Sequence, residues 1–472
     1  MEVDVPLCID LDGTLTPVDT LHESLLNLVR RSPMLLLRLP LLLGRGKAAF
    51  KEAVTARSGI EIGSLPLRPD LIDWIRTQRD GGRRVVLVTG SDTRLAKAVA
   101  DRTGLFDEVI ASDGTNNLVG ESKRAALVAR FGERGFDYAG NEDRDLAVWR
   151  SARHAIVVGS AGLVARAAAV ATVGLVFPAT PPSLRLWIKA ARLHQWAKNA
   201  LVFLPALLAH AIFKTDILLA SALAFLAFGL CASSVYVVND LLDLDSDRRH
   251  PRKRKRPFAS GALPAQGGLI FSAFLLSAAI VIALANGWQF CVVLAGYYTL
   301  TWAYSVRLKR AAIVDVLTLA GLYTIRIIAG AAATGIPASF WLLALSTFAF
   351  MSLGVVKRYT ELYDADKAGT VGGHGRGYSA ADLPLLLGLG TAAGFSAVMV
   401  MALYINSTDS QVLYAHKRAL WLVCPLMLYW ISRVWLLTTR GQMPDDPVVF
   451  ALRDRISLVT FALIGLIVLL AI

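Results

Sequence analysis

The uneven distribution of apolar residues limits the possible folds of this chain more than any other feature. Residues 1–180 are mixed and charged, whereas residues 199–472 contain repeated apolar runs. The mean hydropathy of +0.52 is too high for a purely soluble protein. Because about 20 apolar residues suffice to cross a bilayer as a helix, the sequence predicts a soluble domain at 1–180 and an all-α membrane domain at 185–472.

Nine of the apolar runs are candidates for membrane-spanning helices. The loops after every second run are rich in Lys and Arg, while the intervening loops are nearly bare. Because basic loops stay in the cytoplasm, we expect a multi-pass protein of the inner (cytoplasmic) membrane, with the soluble domain and the basic loops inside. An odd number of spans then leaves the C-terminus outside. The predicted spans are about 199–213, 216–238, 266–285, 288–305, 311–334, 339–356, 383–405, 419–438 and 456–472.

Composition excludes several other classes of protein. The N-terminus, MEVDVPLCIDLDG, is acidic and runs straight into a strand, so no signal peptide is expected. The four cysteines are scattered without metal-ligand spacing, which argues against zinc and disulfides. The net charge of +13 is concentrated beside apolar segments. We therefore expect a lipid bilayer and phosphorylated substrates as partners, and no nucleic acid; the sequence carries no signal for an oligomeric state.

A polar segment, NDLLDLDSDRRHPRKRKRPFASG, follows the second apolar run. Asn239, Asp243 and Asp247 are spaced at i, i+4 and i+8, so a helix places them on roughly one face. Asp240 lies beside the first of them. Carboxylates this close together at a membrane edge need a counter-charge, and Mg²⁺ prefers hard oxygen ligands of this kind. The spacing therefore predicts a Mg²⁺ site.

The same segment continues into a strongly basic run, in which seven Lys and Arg residues fall between Arg248 and Arg256. Taken alone, this run has two interpretations, because a basic loop after a transmembrane helix is also a common topology signal. Acidic groups for a metal next to basic groups for phosphate are the arrangement expected of a diphosphate site. We therefore interpret the acidic and basic runs together as a catalytic diphosphate site.

Further charged residues fall on the same predicted side of the membrane. Arg326 differs from them, because it lies inside the fifth predicted span, one turn after Tyr323. An intramembrane Arg is costly, so it indicates either a functional role or a structural pair with a neighbouring helix. The other candidates are Lys198 in HQWAKN, Lys309 in YSVRLKR, and Lys357, Arg358 and Glu361 in KRYTELYDAD.

These motifs resemble those of the UbiA superfamily of intramembrane prenyltransferases, over about residues 185–472. NDLLDLDSD matches the family's first Asp-rich motif, NDxxDxxxD, and the predicted span count and basic loops agree. The family's second Asp-rich motif, a DxxxD after the sixth span, is altered, since Glu361, Asp364 and Asp366 stand there instead. This departure, together with HQWAKN, HPRKRKRPFASG and YSVRLKR, resembles the decaprenyl-phosphate phosphoribosyltransferase branch.

The resemblance implies transfer of phosphoribosyl from phosphoribosyl pyrophosphate to a polyprenyl phosphate, with Mg²⁺ as cofactor and diphosphate as the leaving group. The lipid phosphate is already an anion, so no general base is required. An apolar cleft between helices would hold the polyprenyl chain. The implied residues are Asn239, Asp240, Asp243 and Asp247 for Mg²⁺, Lys253, Arg254 and Arg256 for diphosphate or the ribose 5-phosphate, Lys309, Lys357 and Arg358 for the lipid phosphate, and Lys198, Arg326 and Glu361 as further substrate-binding candidates.

Two other functions of the membrane domain are alternatives to this one. An aromatic prenyltransferase of the quinone type, with an accessory phosphatase, is kept open by Glu361, Asp364 and Asp366. A transporter or scaffold would show internal repeats and polar residues spread along the spans. The charges here gather on a single face and no repeat is visible, which disfavours that alternative.

The N-terminal region carries four motifs, in order, that resemble those of the haloacid dehalogenase (HAD) phosphatases over about residues 1–178. They are DLDGT, VVLVTGSD, GESKRAAL and AGNEDRD. The resemblance implies an α/β Rossmann-like domain in which Asp10 is the nucleophile and Asp12 the general acid/base. It further implies phosphoryl binding by Thr89 and Lys123, and a Mg²⁺ site made by Asp10, Asp12, Asn141 and Asp145.

Two features of this domain leave alternatives open. Asn141 replaces the first Asp of the family's GDxxxD motif, so Mg²⁺ should bind more weakly. A degenerate, regulatory or scaffolding domain is therefore an alternative to an active phosphatase. The basic, apolar insert Leu25–Phe50 predicts a small helical cap, or a segment that rests on the membrane surface. If the domain is active, the fusion suggests that it removes the 5-phosphate of the lipid product, because tethering raises the effective concentration.

Overall fold

The computed structural model describes residues 5–31, 44, 46–179, 181–367, 377–444 and 446–472. The chain divides into an N-terminal unit, residues 1–191 with 236–272, and a helical unit, residues 192–235 with 273–472. The Asp-rich segment therefore belongs to the N-terminal unit.

Six parallel strands form one sheet in the N-terminal unit. The strands are β1 Leu7–Ile9, β2 Val85–Asp92, β3 Glu108–Ser112, β4 Asp137–Gly140, β5 Ala155–Gly159 and β6 Val173–Pro178. Their order is β3-β2-β1-β4-β5-β6, and Leu7 of β1 pairs with Val85 on one side and Asp137 on the other. Every residue of β1 and β5 is buried, as expected for strands covered by helices on both faces. The predicted α/β Rossmann-like architecture is thus confirmed.

Helices connect these strands, and one more helix follows β6. They are α1 Thr20–Arg31, α2 Lys47–Ser58, α3 Pro69–Asp80, α4 Thr93–Thr103, α5 Glu121–Phe131, α6 Leu146–Trp149, α7 Ala161–Ala168 and α8 Leu184–Ala191. Helices α1 and α2 lie between β1 and β2, at the predicted position of the cap, and pack against each other. Residues 32–43 and 45 of the predicted insert lie outside the described residues.

An ion-pair cluster at the amino ends of the strands joins β4 to the residues that precede β2 and β5. Asp137, the first residue of β4, is 3% exposed and accepts hydrogen bonds from Arg153 at 2.8 and 3.1 Å and from Arg83. Burial acts to raise the pKa of Asp137, but the hydrogen bonds and charges of Arg153 and Arg83 outweigh it and lower that pKa. A carboxyl group with a lowered folded-state pKa stabilises the fold above its unfolded pKa of about 3.9. This stabilisation is lost as the pH falls through the folded pKa.

We expect Asp137→Asn to lower the stability of the α/β domain by about 3 kcal/mol at pH 7, because Arg83 is left buried without its carboxylate. Hydrogen exchange of the full-length protein would then be faster in β4 and β5. The difference from wild type should shrink below about pH 4. Asp73→Asn, which removes an exposed pair with Arg76, should leave exchange unchanged. Equal exchange rates in Asp137→Asn and Asp73→Asn would contradict the stabilising role of the Asp137 ion pairs.

The described part of the remaining chain is helical. Its helices are α9 Leu204–Leu208, α10 Thr215–Leu242, α11 Leu244–Arg249, α12 Ala265–Ala285, α13 Trp288–Val306, α14 Val314–Thr334, α15 Phe340–Lys367, α16 Leu383–Asn406, α17 Thr408–Leu413, α18 Val423–Thr439, α19 Pro447–Ala451 and α20 Arg455–Ala471. Helices α10, α12, α14, α15, α16 and α18 fall in the six stretches that are long and apolar enough to cross a membrane. The chain is therefore a multi-pass membrane protein.

The predicted count of nine spans is not confirmed, since six helices among the described residues meet both the length and the hydropathy expected. Helix α20 is apolar but has 17 residues. Helix α13 has 19 residues, and its Tyr, Trp, Thr and Ser side chains lower its hydropathy. The predicted first span, 199–213, contains a 3₁₀ segment and the short α9, because Pro205 starts a new helix rather than continuing one.

Candidate active sites

A buried ion pair lies at the carboxyl end of β1, in the middle of the sheet. Asp10 directly follows β1, and Lys123 lies in the first turn of α5, with 3.0 Å between Oδ1 and Nζ. Lys123 Nζ also donates to the Tyr138 hydroxyl at 2.8 Å. Burial raises the pKa of Asp10 to about 7, although Lys123 opposes the shift. The Asp10 carboxylate would therefore be stabilised by any further positive charge bound beside it.

Asp12 lies two residues further on, against the start of α1. It accepts hydrogen bonds from the Thr20 backbone N–H at 2.8 Å and from the Ser91 hydroxyl. Burial raises the pKa of Asp12. A raised pKa favours the protonated carboxyl group, which is the form that a general acid requires.

Asp145 and Asn141 follow β4, the neighbour of β1. Asp145 Oδ2 accepts the backbone N–H groups of Asn141 and Glu142 at 2.9 and 3.0 Å, and its Oδ1 accepts the Tyr138 hydroxyl at 2.9 Å. The side-chain oxygen of Asn141 accepts the Thr14 hydroxyl at 2.9 Å. Asn141 thus holds the turn of the DLDGT motif through a neutral oxygen, where an Asp would bring a further negative charge.

Two polar groups line the end of β2. Thr89 is fully buried, and its hydroxyl accepts the Ser91 N–H at 3.0 Å. Lys51 of α2 donates to the Gly90 carbonyl at 2.7 Å and to Asn117 Oδ1 at 2.9 Å. Sequence reasoning missed Lys51, because no motif marks it and only the fold brings α2 to this strand.

The Asp-rich segment is helical with a break. Helix α10 ends at Leu242, and α11 begins at Leu244 with Asp243 between them at φ −101°. The Asp243 N–H still donates to the Asn239 carbonyl at 2.9 Å, and the Asp247 N–H donates to the Asp243 carbonyl at 2.9 Å. The i, i+4, i+8 spacing therefore remains helical across the break.

Arg256 supplies part of the counter-charge that this segment needs. Its Nη1 donates to Asp240 at 3.0 Å and to Asp247 at 2.6 Å, and both carboxylates are nearly fully buried. The sequence predicts a divalent cation as the counter-charge and Arg256 as a ligand for phosphate, whereas the structure shows Arg256 bonded to both carboxylates. Lys253 and Arg254 lie on the adjoining 3₁₀ turn, half-buried and exposed respectively.

In the helical unit, Lys198 is buried and pairs with Asp446. Asp446 Oδ1 also caps α19, by accepting the N–H groups of Val448 and Val449 at 3.1 and 3.2 Å. Lys198 Nζ lies 5.8 Å from the centre of the Tyr323 ring. Burial acts to raise the pKa of Asp446, but the charges of Lys198 and Lys357 lower it below its usual value.

Arg326 of α14 contacts neighbouring helical segments. Its Nε donates to Asn199 Oδ1 at 2.9 Å, and its Nη2 donates to the Tyr297 hydroxyl at 3.1 Å. Its guanidinium also lies 5.0 Å from the centre of the Tyr297 ring and 5.7 Å from that of Tyr323. These contacts satisfy an intramembrane charge in the way expected of a structural pair.

Arg358 of α15 lies in a buried charge network. It pairs with Asp315 and Glu361, and its Nη2 donates to the Tyr304 hydroxyl at 2.8 Å. Arg358 is 3% exposed and Asp315 is fully buried. The network joins α13, α14 and α15. Lys357 and Lys309, the other two predicted ligands of the lipid phosphate, are half-buried, Lys309 on the 3₁₀ turn after α13.

We expect Arg358→Met to destabilise the helical unit by about 3–5 kcal/mol, because it leaves the Asp315 carboxylate buried without its counter-charge. The double variant Arg358→Met with Asp315→Leu should recover most of that loss, since no buried charge is left unpaired. Denaturation of the purified protein in detergent measures both. Equal destabilisation of the single and double variants would show that the ion pair itself is not the stabilising element.

An apolar cavity of about 570 Å³ lies in the helical unit. Helices α15, α16, α18 and α20 contribute most of its walls, including Leu353, Met401, Trp435 and Phe461. The volume falls within the range of about 300–1,000 Å³ that ligand pockets occupy.

Residues 199–464, more than half of the chain, match the UbiA prenyltransferase family. The chain belongs to the UbiA prenyltransferase family. Residues 7–150 match the haloacid dehalogenase-like hydrolases. The protein is thus an enzyme with an N-terminal HAD-type phosphatase domain and a C-terminal UbiA-type transferase domain.

Three relatives are similar to this UbiA-family chain. An uncharacterised protein of Sinorhizobium fredii is 37% identical over 468 residues, which are 98% of this chain and 90% of the relative. Nodulation protein NoeC of Azorhizobium caulinodans is 36% identical over 58% of this chain and 89% of its own. A decaprenyl-phosphate phosphoribosyltransferase of Mycolicibacterium smegmatis is 30% identical over 58% of this chain and 88% of its own. The match to the Sinorhizobium protein extends over both domains, so that protein has the same combination of a HAD-type and a UbiA-type domain.

The donor chemistry at both predicted Mg²⁺ sites suits the ion, although no three His, Cys, Asp or Glu side chains in the described ranges form a ready-made cluster. Near Asp10, the negative charges of Asp145 and Asp12 add to the effect of burial in raising its pKa, against the single charge of Lys123. Two of the four predicted ligands of the UbiA Asp-rich segment are carboxylates bridged by Arg256. Each site has oxygen donors and an excess of negative charge that a divalent cation would neutralise.

Proposed function

We propose that this UbiA-family enzyme transfers a phosphoribosyl group from phosphoribosyl pyrophosphate to a polyprenyl phosphate. The observation that carries the proposal is the Asp-rich segment, with Asp240 and Asp247 buried and a basic turn adjoining it. The 30% identity over 280 residues to a decaprenyl-phosphate phosphoribosyltransferase supports it. Many basic groups suit two phosphorylated substrates better than one diphosphate and a neutral aromatic acceptor.

In this reaction a phosphate oxygen of the lipid forms a bond to C1 of the ribose. The bond between C1 and diphosphate breaks, and diphosphate leaves with the electron pair. Mg²⁺ held by Asn239, Asp240, Asp243 and Asp247 would neutralise charge on the departing group. Lys253 and Arg254, on the turn beside this segment, bind phosphate oxygens of the donor. Arg256 keeps two of the carboxylates in place.

The helical unit is proposed to hold the lipid substrate. The apolar cavity takes part of the polyprenyl chain, because its lining is almost entirely apolar. Lys357 and Lys309 bind the lipid phosphate, while Arg358 holds α15 against α14 through its ion pair with Asp315. Glu361 pairs with Arg358 from the same helix. Lys198 and Arg326 form buried polar contacts within the helical unit, Lys198 with Asp446 and Arg326 with Asn199, and we assign them a structural role.

The N-terminal domain is proposed to remove the 5-phosphate of the lipid-linked product. Asp10 attacks phosphorus, the ribose oxygen leaves with a proton from Asp12, and water then hydrolyses the aspartyl phosphate with Asp12 as base. Thr89 and Lys123 bind the phosphoryl oxygens. Asp10, Asp12, Asn141 and Asp145 would hold a Mg²⁺ ion that offsets the charge of the phosphoryl group.

The proposed location is the inner (cytoplasmic) membrane. The phosphatase domain, residues 1–180, and the basic loops of the transferase domain, residues 185–472, face the cytoplasm, because Lys and Arg concentrate in alternate loops. This arrangement gives both domains access to phosphoribosyl pyrophosphate and to the lipid headgroup.

A comparison of donors and acceptors tests the proposed transfer. Purified full-length protein with Mg²⁺ is supplied either with phosphoribosyl pyrophosphate and a polyprenyl phosphate, or with a polyprenyl diphosphate and an aromatic acceptor. The proposal expects ribose label in the lipid fraction from the first pair alone. Reaction of the second pair alone would reject it in favour of an aromatic prenyltransferase.

A further inference from the structure

Helix α1 contacts the phosphatase centre with its first residue. The Thr20 N–H donates to Asp12 at 2.8 Å, and the Thr20 hydroxyl lies 2.9 Å from that of Ser91. The Ser91 hydroxyl donates in turn to Asp12. The start of α1 is therefore held by the carboxyl group that we assign as the general acid.

The same face of α1 contacts the Asp-rich segment within the N-terminal unit. Glu23 accepts hydrogen bonds from both terminal nitrogens of Arg248, at 2.8 and 2.5 Å, and both side chains are at most 5% exposed. One turn further on, Asn27 Nδ2 donates to Asp245 Oδ2 at 3.1 Å. Because Thr20, Glu23 and Asn27 are three and four residues apart, they lie on one side of the helix.

The two partners of α1 belong to α11, the short helix that carries Asp247. Arg248 directly follows Asp247, and Asp245 lies between Asp243 and Asp247. Arg248 Nε also donates to the Ala259 carbonyl at 2.9 Å, which holds the chain that follows the basic turn. Apolar side chains pack around the contact, namely Leu26, Val237, Leu241, Leu244, Phe258 and Leu263.

The energetics of this contact favour a positioning role. A buried ion pair contributes little net stability compared with an apolar pair of the same size, because both charges lose their hydration. Removal of one partner is nevertheless costly, since the other charge is left buried. Such a pair therefore selects one arrangement of the groups around it, here the arrangement of α11 against α1.

We propose that helix α1 joins the two catalytic centres and that Glu23 is a positioning residue for the Asp-rich segment. The inference rests on the proposed assignment of this segment as the Mg²⁺ and diphosphate site. Glu23 touches no substrate; it fixes Arg248 and, through α11, the direction of Asp243 and Asp247. The transferase centre thus depends on α1 of the phosphatase domain, even when the phosphatase is inactive.

Full-length variants test this role by three measurements. These are kcat and KM of whichever transfer the wild type catalyses, hydrolysis of p-nitrophenyl phosphate, and hydrogen exchange of residues 243–249. Glu23→Gln should lower kcat about 10- to 100-fold at unchanged KM for the lipid, as changes behind metal ligands do. Exchange should quicken while phosphatase activity persists. The double variant Glu23→Gln with Arg248→Gln, an uncharged pair, should restore most of kcat.

Glu61→Gln is the matched control. It removes an exposed carboxylate that pairs at 3.0 Å with Arg249, and Arg249 lies on the same helix α11 as Arg248. It should change none of the three measurements. Unchanged kcat in folded Glu23→Gln would overturn the inference. A parallel loss of both activities that the double variant does not restore would also overturn it, since that result indicates a general structural role.

If Glu23→Gln does not fold, Glu23→Asp replaces it, because it keeps the charge but withdraws the carboxylate by one methylene; the same fall in kcat is expected. The exchange measurement needs no substrate. Failure of wild type to transfer phosphoribosyl therefore rejects the proposed function alone, whereas equal exchange of residues 243–249 in wild type and Glu23→Gln rejects the positioning role.

Discussion

Asp243→Asn is expected to lower kcat for phosphoribosyl transfer by about 100- to 1,000-fold, the range found when one group that stabilises transition-state charge is removed. The substitution keeps the size of the side chain and removes one negative charge from the proposed Mg²⁺ site. Asp243 lies at the break between α10 and α11, so an Asn there retains the helical spacing on both sides. Initial rates with labelled phosphoribosyl pyrophosphate measure the effect. Phosphatase activity of the same preparation should persist.

The matched control is Asp216→Asn, an exposed residue in the first turn of the same helix α10. It should leave transfer unchanged, because it is at the other end of the helix from the Asp-rich segment. If kcat of Asp243→Asn falls by less than about tenfold, Asp243 is not one of the metal ligands. Loss of a ligand to a metal ion that neutralises transition-state charge should lower kcat by more than that.

Asp10→Asn is expected to lower phosphatase activity by about 1,000-fold or more, because the amide cannot form the aspartyl phosphate. Lys123, which lies 3.0 Å from Asp10 Oδ1, would retain a hydrogen-bond acceptor in the amide oxygen. The domain should therefore fold, and the lipid product should accumulate with its 5-phosphate. Phosphate release from the purified protein measures the loss.

Asp101→Asn, an exposed change on α4, serves as the control for this variant and should release phosphate at the wild-type rate. Wild-type protein that releases no phosphate from the lipid product would favour the alternative of a degenerate domain, in which Asn141 weakens the Mg²⁺ site too far. Full activity in Asp10→Asn would instead remove Asp10 as the nucleophile.

Much of the fold could be predicted from short motifs and apolar runs in the sequence. The resemblance of four motifs, in order, to those of the HAD phosphatases predicted the α/β domain, and the apolar strands before two of the motifs agree with strands covered on both faces. The same resemblance implied that Asp10, Asp12 and Thr89 share one site. The span count was not confirmed, since the run that contains Pro205 is divided into short helical segments and α13 is long enough but lower in hydropathy.

Ion pairs between residues that are far apart in the sequence could not be predicted from it. Arg256 was predicted to bind phosphate, and the structure shows it between Asp240 and Asp247. Arg358 was predicted to bind the lipid phosphate, and it pairs with Asp315, 43 residues away. Which base meets which acid depends on turn geometry and helix rotation. Composition gives the charges in each loop but not the direction of a side chain.

A double-label experiment tests the bifunctional account most directly. Phosphoribosyl pyrophosphate carries radioactive carbon in the ribose and radioactive phosphorus in the 5-phosphate, and polyprenyl phosphate is the acceptor. The account predicts that wild type puts carbon but not phosphorus label into the lipid, that Asp10→Asn puts in both, and that Asp243→Asn puts in neither. Wild-type lipid that keeps the phosphorus label would contradict the coupled phosphatase, and wild-type lipid without carbon label would contradict the transferase.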